Sequence, residues 1–368
     1  MEGTSWNAPL NLEDFDAASQ LIKERGGIVS VFAEHQQGDW KAFCKDRIED
    51  GTEFVAHIDS NFLSKLLQLF QKQEPVPDQC RQVAAIMALA ITFDIPINPT
   101  CAVHEYALTT TDDPVQRLAG FDIANNVRPM DYADIVCGRS HCIPTSNSAV
   151  PKRRPADLAT RIKGYTDTYI ALLKLLTIHT RAENKPTLKL DSRISLFTEL
   201  LDWMFHDYFF IAPVVLVAHE VFGQSGKPLV LKGVNTRNPN SLIASTRNAA
   251  WDLVLIGVWS EYEMARRPHI DPLQLLFTLD QPLARLAHRL FHLDRDGNES
   301  FENAQSKLIR DFWPESAAQK IYSHYRQLMR RLDDPVRAQN RESPYDPDEL
   351  EKTLEAEVRS NLGLGGPV

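Results

Sequence analysis

Cysteine is scarce in this chain and occurs in an odd number, which argues against a complete disulfide framework. Among the 368 residues there are five cysteines. They are Cys44, Cys80, Cys101, Cys137 and Cys142. Cys137 and Cys142 lie close together, but no second Cys/His pair follows at a suitable spacing, so structural zinc is not predicted. Reduced thiols in a cytosolic protein are the simpler explanation.

Long apolar runs and an N-terminal targeting segment are also missing. The longest apolar stretch, Phe209–Val217, is far shorter than the roughly 20 residues that a membrane-spanning helix needs. The first residues do not join a basic segment to an apolar run, so no signal peptide is predicted. We therefore expect a soluble, cytoplasmic protein without a membrane partner.

An excess of positive charge is absent as well. The formal net charge is −9, and charged residues make up 24% of the chain. The molecule as a whole is therefore not a non-specific nucleic-acid binder. A nucleic-acid site would need a local basic patch.

The apolar pattern predicts a mainly helical chain with a few short strands. The chain is 43% hydrophobic, and its length fits one large domain or two ordinary ones. Helices are predicted at 12–25, 34–50, 60–70, 83–93, 101–107, 156–179, 193–223, 247–259, 283–290, 305–312 and 317–332. Strands are predicted at 28–32, 54–58 and 275–279, with 227–234 as a strand or an extended connection. The charged tail, 333–368, is predicted to be mobile or ordered by a partner.

One local arrangement occurs twice: a buried strand, an aspartate, and then a helix. Asp59 follows the first such strand, and Asp280 follows the second. Ligands of open α/β sheets bind outside the carboxyl ends of the strands, which makes both aspartates candidate site residues. The alternative is an ordinary helix N-cap, a position that aspartate favours.

A third acid, Asp252, stands alone in the apolar segment Arg247–Trp259, which predicts a buried helix. An unpaired carboxylate there is costly unless a cation, a metal or hydrogen-bond donors meet it. Asn248 lies one turn earlier on the same face. The alternative is that a neighbouring arginine holds Asp252.

Glu105, early in another predicted helix, is the fourth candidate. By itself it is equally well explained as a solvated surface carboxylate. Asp113 or Glu220 could take the place of Glu105 as the acid that follows Asp59 in the candidate set.

In this order, the four acids resemble those of the PIN-domain nucleases. The first motif of that family is a strand ending in Asp, a small residue, and Asn or Thr, to which Ile58-Asp59-Ser60-Asn61 is similar. Its last pair is an Asp in an apolar helix and then a strand ending in Thr-x-Asp, to which Asp252 and Phe277-Thr278-Leu279-Asp280 are similar. The match covers about 53–109 and 241–292, in pieces.

The resemblance implies an α/β fold: a small parallel sheet flanked by helices, with a large helical insertion and a helical C-terminal extension. The implied divisions are an N-terminal extension (1–50), a PIN-like domain (51–292) interrupted at about 110–240, and a C-terminal extension with a charged tail (293–368). The insertion is a departure from the family, which usually has a much shorter connection there.

The resemblance also implies a divalent-metal-dependent endoribonuclease of toxin or defence type. Asp59 and Asp280 would hold the principal Mg²⁺ or Mn²⁺, and Asp252 and Glu105 would complete the coordination; these hard ions prefer oxygen ligands. The substrate-orienting residues would be Asn61, Asn248, Thr278 and Arg247. RNA is the expected partner, with single-stranded DNA as an alternative.

Two other hypotheses remain open on the sequence. A catalytically inactive PIN-like protein could act through a protein partner bound by the helical insertion or the tail, and the chain could self-associate. A helical regulatory protein unrelated to nucleases would use the aspartates only as caps and ion-pair partners. A loop at Asp294–Asn298 partly resembles a calcium-binding EF-hand but lacks its glycine and its closing glutamate.

Overall fold

The protein is described from a computed structural model. It describes residues 9–109, 113–144, 163–183, 188–223, 230–267, 270–290, 306, 309–331 and 346–363. In this part of the chain, no helix is long and apolar enough to cross a membrane.

Helices make up most of the described chain, with four short strands. The helices are α1 (Leu12–Arg25), α2 (Ala33–Gln36), α3 (Trp40–Cys44), α4 (Ser60–Gln68), α5 (Asp78–Thr92), α6 (Thr100–Thr109), α7 (Pro114–Asn125), α8 (Pro129–Val136), α9 (Lys163–Glu183), α10 (Leu190–His206), α11 (Ala212–Phe222), α12 (Pro239–Ala265), α13 (Gln281–Leu290), α14 (Glu315–Met329) and α15 (Pro347–Asn361). The strands are β1 (Ile28–Val29), β2 (Phe54–Ile58), β3 (Ile97–Asn98) and β4 (Leu273–Phe277). A single π-helical segment, Lys45–Glu49, continues α3.

The chain divides into two compact units. Unit 1 contains residues 1–160, 258–288 and 293–295, and unit 2 contains residues 161–257, 289–292 and 296–368. Residues of the predicted N-terminal extension therefore belong to unit 1, where β1 joins the sheet.

The sheet of unit 1 has the strand order β1-β4-β2-β3. The central strands β2 and β4 are parallel, β3 is parallel to β2, and β1 is antiparallel to β4. The predicted α/β sheet flanked by helices is thus present, but it is mixed and not purely parallel. The reason is that the chain turns back at Gly26-Gly27 to place β1 against β4, and both glycines have positive φ.

Apolar residues explain why β2 and β4 are central. All five residues of β4 are buried, and four of the five residues of β2 are buried. Such strands need helices on both faces of the sheet. Part of the cover comes from α5, an apolar helix with 11 buried residues.

All the regular secondary structure in the described part of unit 2 is helical. Its α15 packs against α9, where Tyr169 donates a hydrogen bond to Glu355 at 2.6 Å. The charged tail was predicted to be mobile or partner-ordered, so this helix corrects the prediction for residues 346–363. Leu354 and Val358 are buried on α15 at an i, i+4 spacing that gives it an apolar stripe.

Other predictions of elements were too long or too short. The predicted helix at 193–223 is two helices, because Pro213 lacks an amide hydrogen and lies in the first turn of α11. The strand predicted at 28–32 has only two residues, and 230–234 is a turn. The helix predicted at 247–259 is the centre of the longer α12.

Candidate active site

Strands β2 and β4 bring two aspartates to the same edge of the sheet. The strands are parallel neighbours, with Ile58 opposite Phe277 in the register. Asp59 is the first residue after β2, and Asp280 is the third residue after β4. The prediction that the segments ending in these aspartates are parallel strands of one sheet is therefore confirmed.

Thr278 connects the two aspartates. Its hydroxyl donates a short hydrogen bond to Oδ2 of Asp59. The hydroxyl oxygen of Thr278 in turn accepts a hydrogen bond from the backbone N–H of Asp280 at 3.0 Å. Thr278 is fully buried, and its hydroxyl bonds the Asp59 carboxylate. Its predicted role in orienting a substrate stays a prediction.

Both aspartates are also N-caps of the helices that follow. Oδ1 of Asp59 accepts the N–H of Phe62 at 2.5 Å at the start of α4. Oδ1 of Asp280 accepts the N–H of Leu283 at 3.1 Å at the start of α13. The capping role that the sequence left as an alternative is therefore present at both aspartates.

Glu105 is the third acid near this edge. It lies on α6, is half-buried, and interacts with the side-chain hydroxyl of Ser60 and with the negative charge of Asp59. The two alternatives for this position have other roles. Asp113 caps α7 through the N–H of Val115 at 2.9 Å, and Glu220, in unit 2, forms an ion pair with Arg289 at 2.7 Å.

Burial, with a smaller contribution from like charge, raises the pKa values of Asp59 and Glu105. The pKa of Asp59 is raised to about 6, chiefly by burial; the bonds from Thr278 and Phe62 oppose this, and the charge of Asp280 adds to it. The pKa of Glu105 is raised to about 7, again chiefly by burial, with a contribution from Asp59. Burial is therefore the main reason that ionisation of Asp59 and Glu105 is disfavoured.

Cys101 lies one helical turn before Glu105, and its chemistry is suppressed. Burial, and then the charge of Glu105, raise the pKa of its thiol to about 11. The thiolate needed for nucleophilic or metal chemistry is therefore scarce at neutral pH. The site is a carboxylate site and not a thiol site.

The remaining predicted site residues of α12 lie in unit 2. Asp252 is half-buried, and Asn248 is exposed. Arg247 is bonded to Glu355 at 2.7 Å and to the hydroxyl of Tyr169 at 3.2 Å. The roles predicted for Asp252 and Asn248 in metal and substrate binding stay predictions.

The first turn of α4 supplies residues on the exposed side of the site. Asn61 is exposed there, directly after Ser60. The carbonyl of Ser60 accepts a hydrogen bond from the hydroxyl of Tyr106 at 3.1 Å. No local pattern in the sequence indicates that Ser60 and Tyr106 meet.

Among the described residues, no group of three or more His, Cys, Asp or Glu side chains is arranged to hold a metal ion. The EF-hand-like loop at Asp294–Asn298 lies outside the described residues. Comparison with protein-family models, with curated proteins and with solved structures found no match for this chain.

Proposed function

We propose that unit 1 is a divalent-metal-dependent nuclease that hydrolyses phosphodiester bonds, with RNA as the favoured substrate. The observation that carries the proposal is that two parallel neighbouring strands bring Asp59 and Asp280 to one edge of the sheet, with Glu105 of α6 near Asp59. All three residues lie in unit 1. The resemblance of their motifs to the PIN-domain nucleases supports the same chemistry.

The donor set fits a hard divalent cation. Carboxylate oxygens are the ligands that Mg²⁺ and Mn²⁺ prefer, and Mg²⁺ is usually held by one or two carboxylates together with water and substrate phosphate. Burial is the main cause of the raised pKa values of Asp59 and Glu105, and the negative charge of a neighbouring acid adds to each of them. A cation at this edge would offset that repulsion.

In the proposed reaction, Asp59 and Asp280 would hold the principal cation, and Glu105 would lie near it. When bound, the cation activates a water molecule and stabilises the leaving oxygen. Thr278 and Ser60 are positioning residues, since they bond to Asp59 and Glu105 respectively. Glu105 has a pKa of about 7, so it can accept a proton near neutral pH.

Asn61 is the residue of the proposed site that is best placed to orient a substrate phosphate. It is exposed in the first turn of α4, where the backbone N–H groups and the helix dipole also favour an anion. Arg247 is engaged by Glu355 in unit 2, so its predicted role in orienting substrate is not part of the proposal.

The test is cleavage of labelled RNA and single-stranded DNA with Mn²⁺ or Mg²⁺. Wild type is expected to cleave RNA, and Asp59→Asn and Asp280→Asn are expected to lose most of that activity. Asp94→Asn is the matched control, because its side chain is 96% exposed in the same unit. Equal activity in all four proteins would overturn the nuclease proposal.

A second candidate function is a PIN-like interaction protein that keeps the fold without the chemistry. The specific observation in its favour is that Asp59 and Asp280 each cap a helix, a role that would preserve them without catalysis. Measuring Mn²⁺ affinity by calorimetry separates the two functions. Binding that Asp280→Asn weakens supports the nuclease, and the absence of binding supports the interaction protein.

A further inference from the structure

A cavity lies among the helices of unit 2. Its volume is about 40 Å³, and the residues that line it come mainly from α10, α11 and α14. Of the described residues in its wall, only His219 and Tyr325 have polar atoms in their side chains. Sites for small molecules have this composition, in which a few polar groups are set in an apolar wall.

His219, on α11, is uncharged at neutral pH. It is only 4% exposed, and burial lowers its pKa to about 3. The imidazole therefore carries a single proton, which lies on one of its two nitrogens.

Trp313 decides which nitrogen of His219 carries that proton. Nε1 of the Trp313 indole donates a hydrogen bond to Nδ1 of His219 at 2.9 Å. An indole N–H can only donate, so Nδ1 is the acceptor and the proton is on Nε2. His219 thus has a hydrogen-bond donor at Nε2 in a fixed tautomer.

In the part of the chain that the structure describes, no acceptor bonds this Nε2–H. The imidazole is packed against Phe197 and Phe312, whose ring centres lie 4.4 and 5.6 Å from its own. Trp313 is outside the cavity wall and His219 is part of it, so the Nδ1 edge is closed and the Nε2 edge is the polar edge left for the cavity. A buried donor without an acceptor is costly, and an acceptor that enters the cavity removes that cost.

The wall of the cavity favours an uncharged ligand. Of the described residues that line it, none is Lys, Arg, Asp or Glu. A charged group there would be buried without an opposite charge, which costs far more than burying a neutral group. Burial also raises the pKa of Tyr325, so its hydroxyl stays protonated at neutral pH.

The volume sets the size of the ligand. A water molecule needs about 10–15 Å³ of cavity volume, so this cavity admits a group about three times as large. Phe210 and Tyr325 are only half-buried, so the cavity reaches the surface beside them.

We propose that unit 2 binds a small, uncharged carbonyl compound in this cavity. The carbonyl oxygen accepts the Nε2–H of His219, and the alkyl groups lie against Leu201 and Val215. The proposal does not rest on the nuclease function, because its residues are in unit 2 and the proposed active site is in unit 1.

The test compares butanone with its methylene analogue, which has the same shape but a =CH₂ group in place of the carbonyl oxygen. Dissociation constants are measured by NMR titration of methyl-labelled protein, from the signals of Leu201 and Val215. The ratio of the two constants is compared between proteins, because the difference in hydration of the ligands then cancels.

His219→Phe keeps a planar ring and loses the Nε2–H, and its preference for butanone is expected to fall roughly 3- to 12-fold. His206→Phe is the matched control, because this histidine ends α10 in the same unit and is not part of the cavity wall. It is expected to keep the wild-type ratio.

A second measurement uses the wild-type protein, because His219→Phe leaves Trp313 without its acceptor. With ¹⁵N-labelled histidine, the Nε2 proton signal of His219 should move downfield when butanone binds and should not do so with the methylene analogue. His219→Gln, whose amide oxygen can accept from Trp313, identifies the signal by its absence. The affinity for butanone should be equal at about pH 5.5 and about pH 7.5, because His219 does not ionise in that range.

The proposal is supported if the signal follows butanone and the ratio of the constants depends on His219 but not on His206. Equal ratios in wild type and His219→Phe overturn it, and so does a signal that butanone does not move. Butanoate that binds as tightly as butanone overturns it as well, because a charged ligand is then accepted. Absence of binding by either ligand also overturns it and identifies the cavity as a packing defect.

Discussion

Replacing Asp59 by asparagine is expected to remove a pH-dependent loss of stability from unit 1. In the folded protein the pKa of Asp59 is about 6, against a usual value of 3.8. The folded state therefore keeps the proton over a pH range in which the unfolded state releases it. The contribution of this proton to the free energy of unfolding is fully present below about pH 4, and it is lost as the pH rises to about 6.

The size of the effect follows from the shift of the pKa. A difference of about two units, at roughly 1.4 kcal/mol per unit, corresponds to about 3 kcal/mol. Asp59 is only 3% exposed, so solvent does not screen the effect appreciably. Asparagine has a similar shape and no charge, so the free energy of unfolding of Asp59→Asn should stay nearly level over this range.

Hydrogen exchange of the β2 amides is the suitable assay, because it reports on unit 1 in a chain with two compact units. The free energy of opening is measured between pH 4 and 7 in the presence of a chelator. Asp94→Asn, whose side chain is exposed, should follow wild type. If the free energy of opening depends on pH in the same way in wild type and in Asp59→Asn, the reasoning that the Asp59 carboxylate is held in a buried acidic site is refuted.

Three further predictions follow from the same contacts. Thr278→Val leaves a buried oxygen of Asp59 without its donor and should destabilise unit 1 by about 1–3 kcal/mol, measured by hydrogen exchange, whereas Thr278→Ser should stay close to wild type. Mn²⁺ affinity, measured by calorimetry, should rise from pH 5 to pH 7, because the cation must displace protons from Asp59 and Glu105; a level affinity would contradict their raised pKa values. Glu355→Ala should lower the free energy of opening of α15 by about 1–3 kcal/mol, which hydrogen exchange of the α15 amides measures. The exposed Glu357→Ala on the same helix should leave this free energy unchanged.

Local sequence patterns predicted the two halves of the site separately. The short apolar runs before Asp59 and Asp280, and the apolar stripes after them, predicted strand, aspartate and helix at both places. These patterns depend on side-chain alternation and on helix capping, which act over a few residues. The length of α12 and the division at Pro213 were less well predicted, because tertiary packing sets where helices end.

Which acid lies near Asp59 could be decided only from the tertiary structure. The resemblance pointed to Glu105 as the second acid, but the sequence left Asp113 and Glu220 as alternatives, since each is a carboxylate in or beside a predicted helix. Only the packing of α6 against the start of α4 places Glu105 against Ser60 and near Asp59. In the structure, Asp113 caps α7, and Glu220 forms an ion pair with Arg289.

By itself, the sequence determined that Asp59 and Asp280 each follow a buried strand and begin a helix. Tertiary structure alone decided that β2 and β4 are parallel neighbours, and that their register sets Thr278 beside Asp59. The physical reason is range: capping and alternation are satisfied within one turn or one strand. Pairing strands more than 200 residues apart depends on how the helices between them pack, which no short segment encodes.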